Sequence, residues 1–356
     1  MLVLARESRG LSQAELATAI KVSQGKISKY ENGLLEPSLV DLARIAEIVD
    51  YEAEFFCQDE QVHGLGASLL FNRKRRTTPV HVQRRVTAQV NVVRMQIERL
   101  LRAAEVGAEN RIERLDIDRF DGDAEVVARR TRIAWRLPPG AVTNLTAAIE
   151  SAGGIVAIFD FDTDRVDAAH MWVDGLPPMF FMNAQVPGDR YRFSLAHELG
   201  HATMHTLPSD DVEGEADGFA SELLMPAEEI GPQLGGLTLK RAAQLKMHWK
   251  VSMQAIIVRA WRLGRINERR YRSLYTELSM HGFRRNEPFP IVIEKPTVLG
   301  QLVRLHRDHL GYSEEDMRRL LFTGAPAFSG EAGSVAVRPH RVLRLRDYRK
   351  SEAEQG

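Results

Sequence analysis

The sequence predicts a mainly α-helical protein with a small β-sheet, an α+β fold divided into more than one domain. Its 356 residues exceed the usual size of a single domain. Apolar residues recur at helical spacing through most of the chain, whereas the continuous apolar runs typical of buried strands lie between about residues 155 and 182. Hydrophobic residues make up 44% of the chain and charged residues 27%, which indicates a folded rather than a disordered protein.

Charge and cysteine content exclude several classes of function. The 48 basic and 48 acidic residues cancel, so a DNA contact has to come from a local patch rather than from an overall positive field. The single cysteine, Cys57, excludes an internal disulfide framework and a thiolate-clustered zinc or iron–sulfur site. The N-terminal residues lack the order of a signal peptide, and no apolar run is long enough to span a bilayer. We therefore expect a cytoplasmic protein without membrane contact.

Residues 1–57 are predicted to form an all-α domain with helix-turn-helix spacing. Ser12 and Glu15 have the spacing of a capping box, which predicts the start of a helix. Ser23 is placed to cap a second helix, which Asn32-Gly33 ends. A further helix follows Pro37-Ser38.

This segment resembles the Xre/Cro-type helix-turn-helix family. The residues that carry the resemblance are Ser12-Gln13-Ala14-Glu15-Leu16-Ala17 and Val22-Ser23-Gln24-x-x-Ile27-Ser28-x-x-Glu31-Asn32-Gly33. The resemblance implies that the second helix enters the major groove of a double-stranded DNA operator, and that half-site geometry favours a homodimer.

The expected DNA contacts follow from positions on the two helices. Gln24 and Lys26 would face base edges, while Gln13, Ser28 and Lys29 would lie at phosphates. The alternative is a helical adaptor that binds protein, which the acidic balance of the domain favours. We prefer DNA binding because the polar residues gather on the presumed recognition helix.

Residues 58–130 are interpreted as a helical linker region. The basic run Arg73-Lys74-Arg75-Arg76 either contacts phosphate or is a solvated linker, and the sequence leaves this open. Helical periodicity predicts a long amphipathic helix over about residues 79–106 and another helix over residues 124–137.

Residues 131–236 are predicted to form a domain built from a few strands followed by two helices. Ile155–Phe159 is a candidate buried strand, and the turn Asp174-Gly175 lies between two further strand candidates, which suggests a hairpin. One helix should run from about Pro187 to His205, and a second should end near Met225 because Pro226 follows.

The first of these two helices carries His197-Glu198-Leu199-Gly200-His201. Residues four apart share a helix face, so both imidazoles can reach one zinc ion while Glu198 borders the open coordination position. A catalytic zinc needs a third protein ligand. Glu213, on the next helix, is predicted to be that ligand, with Asp217 as the hydrogen-bond acceptor that orients a liganding histidine.

Other interpretations of the neighbouring residues remain open from the sequence alone. Asp217 could be a surface residue, and Asp210 and Glu215 are interpreted as solvated acids at a helix start. His205 competes with Glu213 as a ligand, but three histidines on one straight helix diverge along its axis. We therefore interpret His205 as a packing or rim residue, and His170 as a candidate for stabilising an oxyanion.

The run Arg192–His201, followed by Glu213-x-x-Ala216-Asp217-x-Phe219-Ala220-x-x-Leu223-Leu224-Met225-Pro226, resembles the ImmA/IrrE family of zinc metallo-endopeptidases. The resemblance covers about residues 130–285. It implies a gluzincin-like Zn²⁺ site in which Glu198 is the general base towards zinc-bound water. It also implies cleavage of a partner repressor protein under stress or an inducing signal.

The rest of the chain adds less about function. Residues 237–285 are predicted to be a helical, helix-turn-helix-like module, and residues 286–356 a C-terminal helical region. The alternative to a repressor-cleaving peptidase is a non-proteolytic Xre-type transcription factor, or an antitoxin. In that case the peptidase-like fold would serve in ligand sensing or dimerisation.

Overall fold

The computed structural model describes residues 1–65, 78–205, 211–323 and 343–345. The predicted basic run at residues 73–76, the loop 206–210 and Asp210 lie outside these residues. The helices are α1 (Leu2–Ser8), α2 (Gln13–Ala19), α3 (Gln24–Glu31), α4 (Leu39–Val49), α5 (Val80–Leu101), α6 (Ala124–Ala134), α7 (Leu145–Ser151), α8 (Gly188–Met204), α9 (Val212–Leu224), α10 (Ala227–Ile230), α11 (Leu239–Trp249), α12 (Met253–Arg262), α13 (Glu268–Met280), α14 (Val298–Arg304) and α15 (Glu314–Leu321). The strands are β1 (Ala104–Val106), β2 (Ile155–Phe159), β3 (Ala168–Met171), β4 (Met179–Asn183) and β5 (Leu343–Leu345). The predicted mainly helical fold with a small sheet is confirmed.

The N-terminal helices begin where their capping residues predict. Ser12 and Glu15 form a complete capping box at the start of α2. The Ser23 hydroxyl accepts a hydrogen bond from a backbone N–H in the first turn of α3. A largely buried ion pair between Arg6 of α1 and Glu31 of α3 then holds these two helices together. The segment is all-α, as predicted.

A three-stranded sheet lies at the centre of the second half of the fold, with strand order β2-β4-β3. Strand β2 pairs parallel to β4, and β3 pairs antiparallel to β4 as the predicted hairpin requires. One face of the sheet packs against α8 through Val156, Phe180 and Met182. The other face packs against α5 through Ala157 and Phe181. The sheet therefore separates α5 from α8.

The long helix α5 ends earlier than its periodicity predicts. It stops at Leu101, and residues 104–106 form β1, which pairs antiparallel with β5. The prediction of helix up to residue 106 is therefore wrong at its last turn, because pairing with a strand more than 230 residues away overrides the local pattern. For the same reason residues 58–130 and 286–356, both expected to be helical, each contribute one strand as well as helices.

Helices α8 and α9 pack closely and run back along one another. Gly200, in the C-terminal half of α8, makes this approach possible, since a Cβ there would lie 3.1 Å from the ring of Phe219 on α9. The N-terminal half of α8 is anchored by buried ion pairs, Arg192 with Glu294 and Lys246 with Asp189. These ion pairs fix the first turns of α8 to the segments that carry Glu294 and Lys246.

Candidate metal centre

Three potential metal ligands converge between α8 and α9. The Nε2 atoms of His197 and His201 lie 3.0 Å apart. The Glu213 carboxylate lies 3.6 Å from Nε2 of His197 and 3.4 Å from Nε2 of His201. The ligand atoms of all three residues lie within 4.8 Å of one another. The structure thus brings together the three residues that the sequence predicts as ligands.

The chemistry of this cluster fits a divalent cation. Oε1 of Glu213 is buried and has no hydrogen-bond partner among the described residues. A buried carboxylate oxygen without a partner is costly, and a bound cation removes that cost. Two imidazole nitrogens and one carboxylate oxygen form a ligand set typical of catalytic zinc, which leaves a further coordination position open.

The pKa values of the three residues show where the cluster holds a proton when no metal is bound. Burial disfavours protonation of His197, but its hydrogen bond to Asp217 and its close contact with the Glu213 carboxylate outweigh burial and raise its pKa to about 10. Burial lowers the pKa of His201 to about 4. Burial alone would raise the pKa of Glu213, yet the two histidines lower it to about 2. One proton on His197 therefore occupies the cluster at neutral pH when no metal is bound.

The second ring nitrogen of His197 contacts the residue predicted to orient a ligand. Nδ1 of His197 lies 3.0 Å from Oδ1 of Asp217. The other carboxylate oxygen of Asp217 lies 3.9 Å from Arg262, and the Asp217 side chain is 42% exposed. Asp217 is therefore both at the protein surface and in contact with His197.

The second ring nitrogen of His201 has a different partner, which sequence reasoning missed. Nδ1 of His201 lies 2.7 Å from Nδ1 of His205, and Nε2 of His205 lies 2.8 Å from Oε2 of Glu215. The interpretation of Glu215 as a solvated acid is wrong, because it pairs with a buried histidine and is only 20% exposed. The signal in the sequence was the third histidine of the stripe that His197 and His201 begin.

Glu198 lies beside the cluster in a nearly closed environment. Its side chain is 3% exposed, and its Oε2 lies 2.8 Å from Nδ1 of His170 on strand β3. The His170 ring stacks parallel to that of His201, with ring centroids 6.0 Å apart. The sequence suggested His170 as an oxyanion partner, whereas the structure places one of its nitrogens on Glu198.

Two of the predicted DNA-contacting residues form a polar chain between α2 and α3. The Gln24 amide donates a hydrogen bond to Gln13 (2.6 Å), which in turn donates to Glu31 (2.7 Å). Gln24 remains exposed, whereas Gln13 is half-buried. Gln13 is therefore placed to hold Gln24 in position on the outer face of α3.

The other predicted contacts differ in how freely they present their side chains. Nζ of Lys26 lies 2.8 Å from Oδ2 of the buried Asp41, so much of its charge is neutralised within the domain. Ser28 is half-buried and accepts a hydrogen bond from the Asn32 side chain. Lys29 is exposed. Of the five residues, Gln24 and Lys29 are the most accessible to a partner.

Comparison with known families finds two separate matches along the chain. Residues 2–56 match the family described as Helix-turn-helix. Residues 150–260 match the peptidase M78 family described as IrrE N-terminal-like domain. This range includes the three candidate ligands and extends through most of α12. No curated protein matches the chain, and none of the described helices has the length and apolarity that a membrane span requires. The chain is a fusion of an N-terminal helix-turn-helix domain of the Xre type with an IrrE-like domain of a peptidase family.

Proposed function

We propose that this protein is a DNA-binding regulator whose IrrE-like domain is a zinc-dependent endopeptidase acting on a partner repressor. The observation that carries the proposal is the convergence of His197, His201 and Glu213 around a buried carboxylate oxygen that lacks a hydrogen-bond partner among the described residues. A zinc ion held by these residues supplies Lewis acidity, which polarises a scissile carbonyl and lowers the pKa of water.

Glu198 is the proposed general base. Its carboxylate lies next to the ligand cluster, and the hydrogen bond with His170 holds one of its oxygens in place. A carboxylate in this position takes the proton of the attacking water and returns it to the leaving amine. His170 then acts by positioning Glu198, and Asp217 acts by orienting His197.

The proposed substrate is a repressor protein bound at or near the operator that the N-terminal domain recognises. Placing a peptidase and a DNA-binding domain in one chain concentrates the peptidase where such a repressor is bound. Cleavage would follow stress or another inducing signal in the cytoplasm. This substrate and this setting rest on the ImmA/IrrE resemblance and on the DNA-binding role of the first domain.

The peptidase proposal is tested by metal content followed by cleavage. Purified protein should contain one zinc per chain, and both His201→Ala and Glu213→Ala should lose it. Glu198→Gln should keep zinc but lose cleavage of a candidate repressor, while Glu228→Gln, which changes an exposed glutamate, should retain both. Wild-type protein without zinc would refute the metal site. Bound zinc without cleavage of any operator-bound protein would favour the non-proteolytic regulator instead.

For the N-terminal domain we propose that α3 contacts an operator with Gln24 and Lys26 at base edges and with Ser28 and Lys29 at phosphates, while Gln13 supports Gln24. The exposure of Gln24 and Lys29 supports this assignment. Gln24→Ala should reduce discrimination between operator and random DNA. Equal affinity of the wild type for both DNAs would refute sequence reading and favour a protein-binding adaptor.

We further propose that the regulator is a homodimer, in keeping with paired half-sites. The N-terminal domain exposes four apolar side chains around Pro37, which are Leu34, Leu35, Leu39 and Val40. Leu34 and Leu39 are 77% and 85% exposed, and clustered apolar exposure of this kind is typical of an interface. Leu39→Lys should shift the protein to monomer in light scattering, whereas Met280→Lys, at a comparably exposed position, should not. A dimer that survives Leu39→Lys would exclude this surface.

A further inference from the structure

We propose that His205 and Glu215 are positioning residues of the metal centre, and that they fix His201 in the tautomer that leaves Nε2 free to bind a cation. This inference rests on the proposed zinc site. It assigns a role to two residues that lie outside the set of three ligands and beyond the contact between His197 and Asp217.

The geometry forms a continuous chain of hydrogen-bonding atoms leading away from the ligand. Nδ1 of His201 faces Nδ1 of His205 at 2.7 Å, and Nε2 of His205 faces Oε2 of Glu215 at 2.8 Å. The His201 side chain is fully buried and that of His205 is 1% exposed. Since water has little access, the Nδ1 atom of His201 depends on His205 for a partner.

The direction of this chain follows from the rules of proton donation. An imidazole that binds a metal through Nε2 must carry its proton on Nδ1. The Nδ1–H of His201 then needs an acceptor, which neutral His205 provides through the lone pair of its own Nδ1. His205 consequently carries its proton on Nε2, where the carboxylate of Glu215 accepts it. Each donor in the chain has one acceptor, and Glu215 determines the direction because a carboxylate only accepts.

The two liganding histidines are therefore oriented in different ways. His197 contacts the carboxylate of Asp217 directly, whereas His201 reaches the carboxylate of Glu215 through a neutral ring. Because the His205 ring lies between them, the negative charge of Glu215 is farther from the ligand cluster, while Nδ1 of His201 still has a hydrogen-bond partner. Hydrogen-bond partners of this kind commonly contribute about 10- to 100-fold to metal affinity.

A purely packing role for His205 makes a different prediction. The rings of His201 and His205 are in contact, with centroids 4.9 Å apart, so His205 also fills space against the ligand. Phenylalanine at position 205 would preserve this packing but remove the acceptor. Asparagine would lose part of the packing but keep a carbonyl oxygen at the same position along the side chain as Nδ1.

The test measures zinc affinity by competition with a chromophoric chelator in full-length protein. His205→Phe should weaken zinc binding about 10- to 100-fold, and His205→Asn should recover part of the loss. Glu215→Ala should weaken it by a smaller factor, and His248→Phe, which changes an exposed histidine on α11, should leave it unchanged. Zinc affinity of His205→Phe within twofold of wild type, or higher than that of His205→Asn, would overturn the proposal.

A second measurement does not depend on bound zinc or on the folding of a variant. Nitrogen chemical shifts of histidine rings, measured in metal-free wild-type protein, report which nitrogen carries the proton. We expect the proton of His201 on Nδ1 and that of His205 on Nε2, and the reverse assignment would overturn the inference. If wild-type protein never binds zinc, the proposed function fails, but this measurement still decides whether His205 and Glu215 set the tautomer of His201.

Discussion

Zinc binding to this protein should displace one proton, and the structure identifies the residue that loses it. Without metal, the pKa of His197 is raised to about 10, so its ring is protonated at pH 7. The pKa of His201 is about 4 and that of Glu213 about 2, so both are already deprotonated. Because Nε2 of His197 can bind a cation only without its proton, each zinc bound at pH 7 releases one proton.

The size of the effect follows from the distance between pH 7 and this pKa. Apparent zinc affinity should rise about tenfold for each pH unit between pH 7 and 10, a total of about 4 kcal/mol. In metal-free protein, by contrast, the contribution of His197 to folding stability falls as the pH rises. The protonated His197 stabilises the fold fully below its unfolded pKa of about 6.5, and this stabilisation is lost as the pH rises through about 10.

Calorimetry in two buffers of different ionisation enthalpy measures the number of protons released per zinc. Wild type should release about one proton at pH 7.5, as its pKa requires. Asp217→Asn keeps an acceptor for the Nδ1–H of His197 but removes the charge that raises its pKa, so it should release fewer protons. Asp174→Asn, at a carboxylate that is 96% exposed, should match wild type. A buffer-independent enthalpy, or equal release by Asp217→Asn and wild type, would refute the reasoning.

Three further outcomes are expected from single substitutions. Gly188→Ala should lower the free energy of unfolding by about 1–3 kcal/mol in urea titrations, because the new Cβ would meet a backbone carbonyl of the segment crossing the start of α8. Gly235→Ala, which meets no neighbouring atom, is the control and should change stability little. Lys29→Ala should reduce the salt dependence of operator binding by about one unit of slope, and more than Lys26→Ala, because Lys26 is already paired within the domain. The comparison is made by fluorescence anisotropy at several salt concentrations, and equal slopes would contradict it. His170→Ala should reduce kcat about tenfold or more with zinc content unchanged, and a change in KM alone would contradict its positioning of Glu198.

The ligand cluster could be predicted from the sequence because each step of that prediction is local. His197 and His201 are four residues apart on one helix, and Glu213 follows on the next helix. The helical spacing of each segment and the short connection between them are therefore enough to predict that the three side chains meet. The partner of His201 could not be found in this way. His205 continues the same stripe, but its role depends on where α9 places Glu215, which is a property of the packing.

Long-range pairing accounts for the other differences between prediction and structure. The apolar pattern of residues 104–106 suits a helix or a strand, and only the pairing with residues 343–345 decides between them. The parallel pairing of β2 with β4 is likewise invisible in a sequence that shows two short apolar runs. Side-chain pairs such as Lys26 with Asp41 also depend on packing, and this one changes which residues of α3 are available to DNA.

Helix α5 lies between the helix-turn-helix domain and the sheet of the IrrE-like domain. One face of α5 carries Ala88, Val92 and Met95 into the core of the N-terminal domain. The opposite face carries Val86 and Val90 against the sheet, whose other side packs on α8. Burying a valine or methionine side chain contributes about 1.5–3 kcal/mol to folding stability. Separating α5 from either neighbour would therefore lose several such contributions at once. Two apolar clusters, one between α5 and the sheet and one between the sheet and α8, therefore lie between the core of the helix-turn-helix domain and the helix that carries His197 and His201.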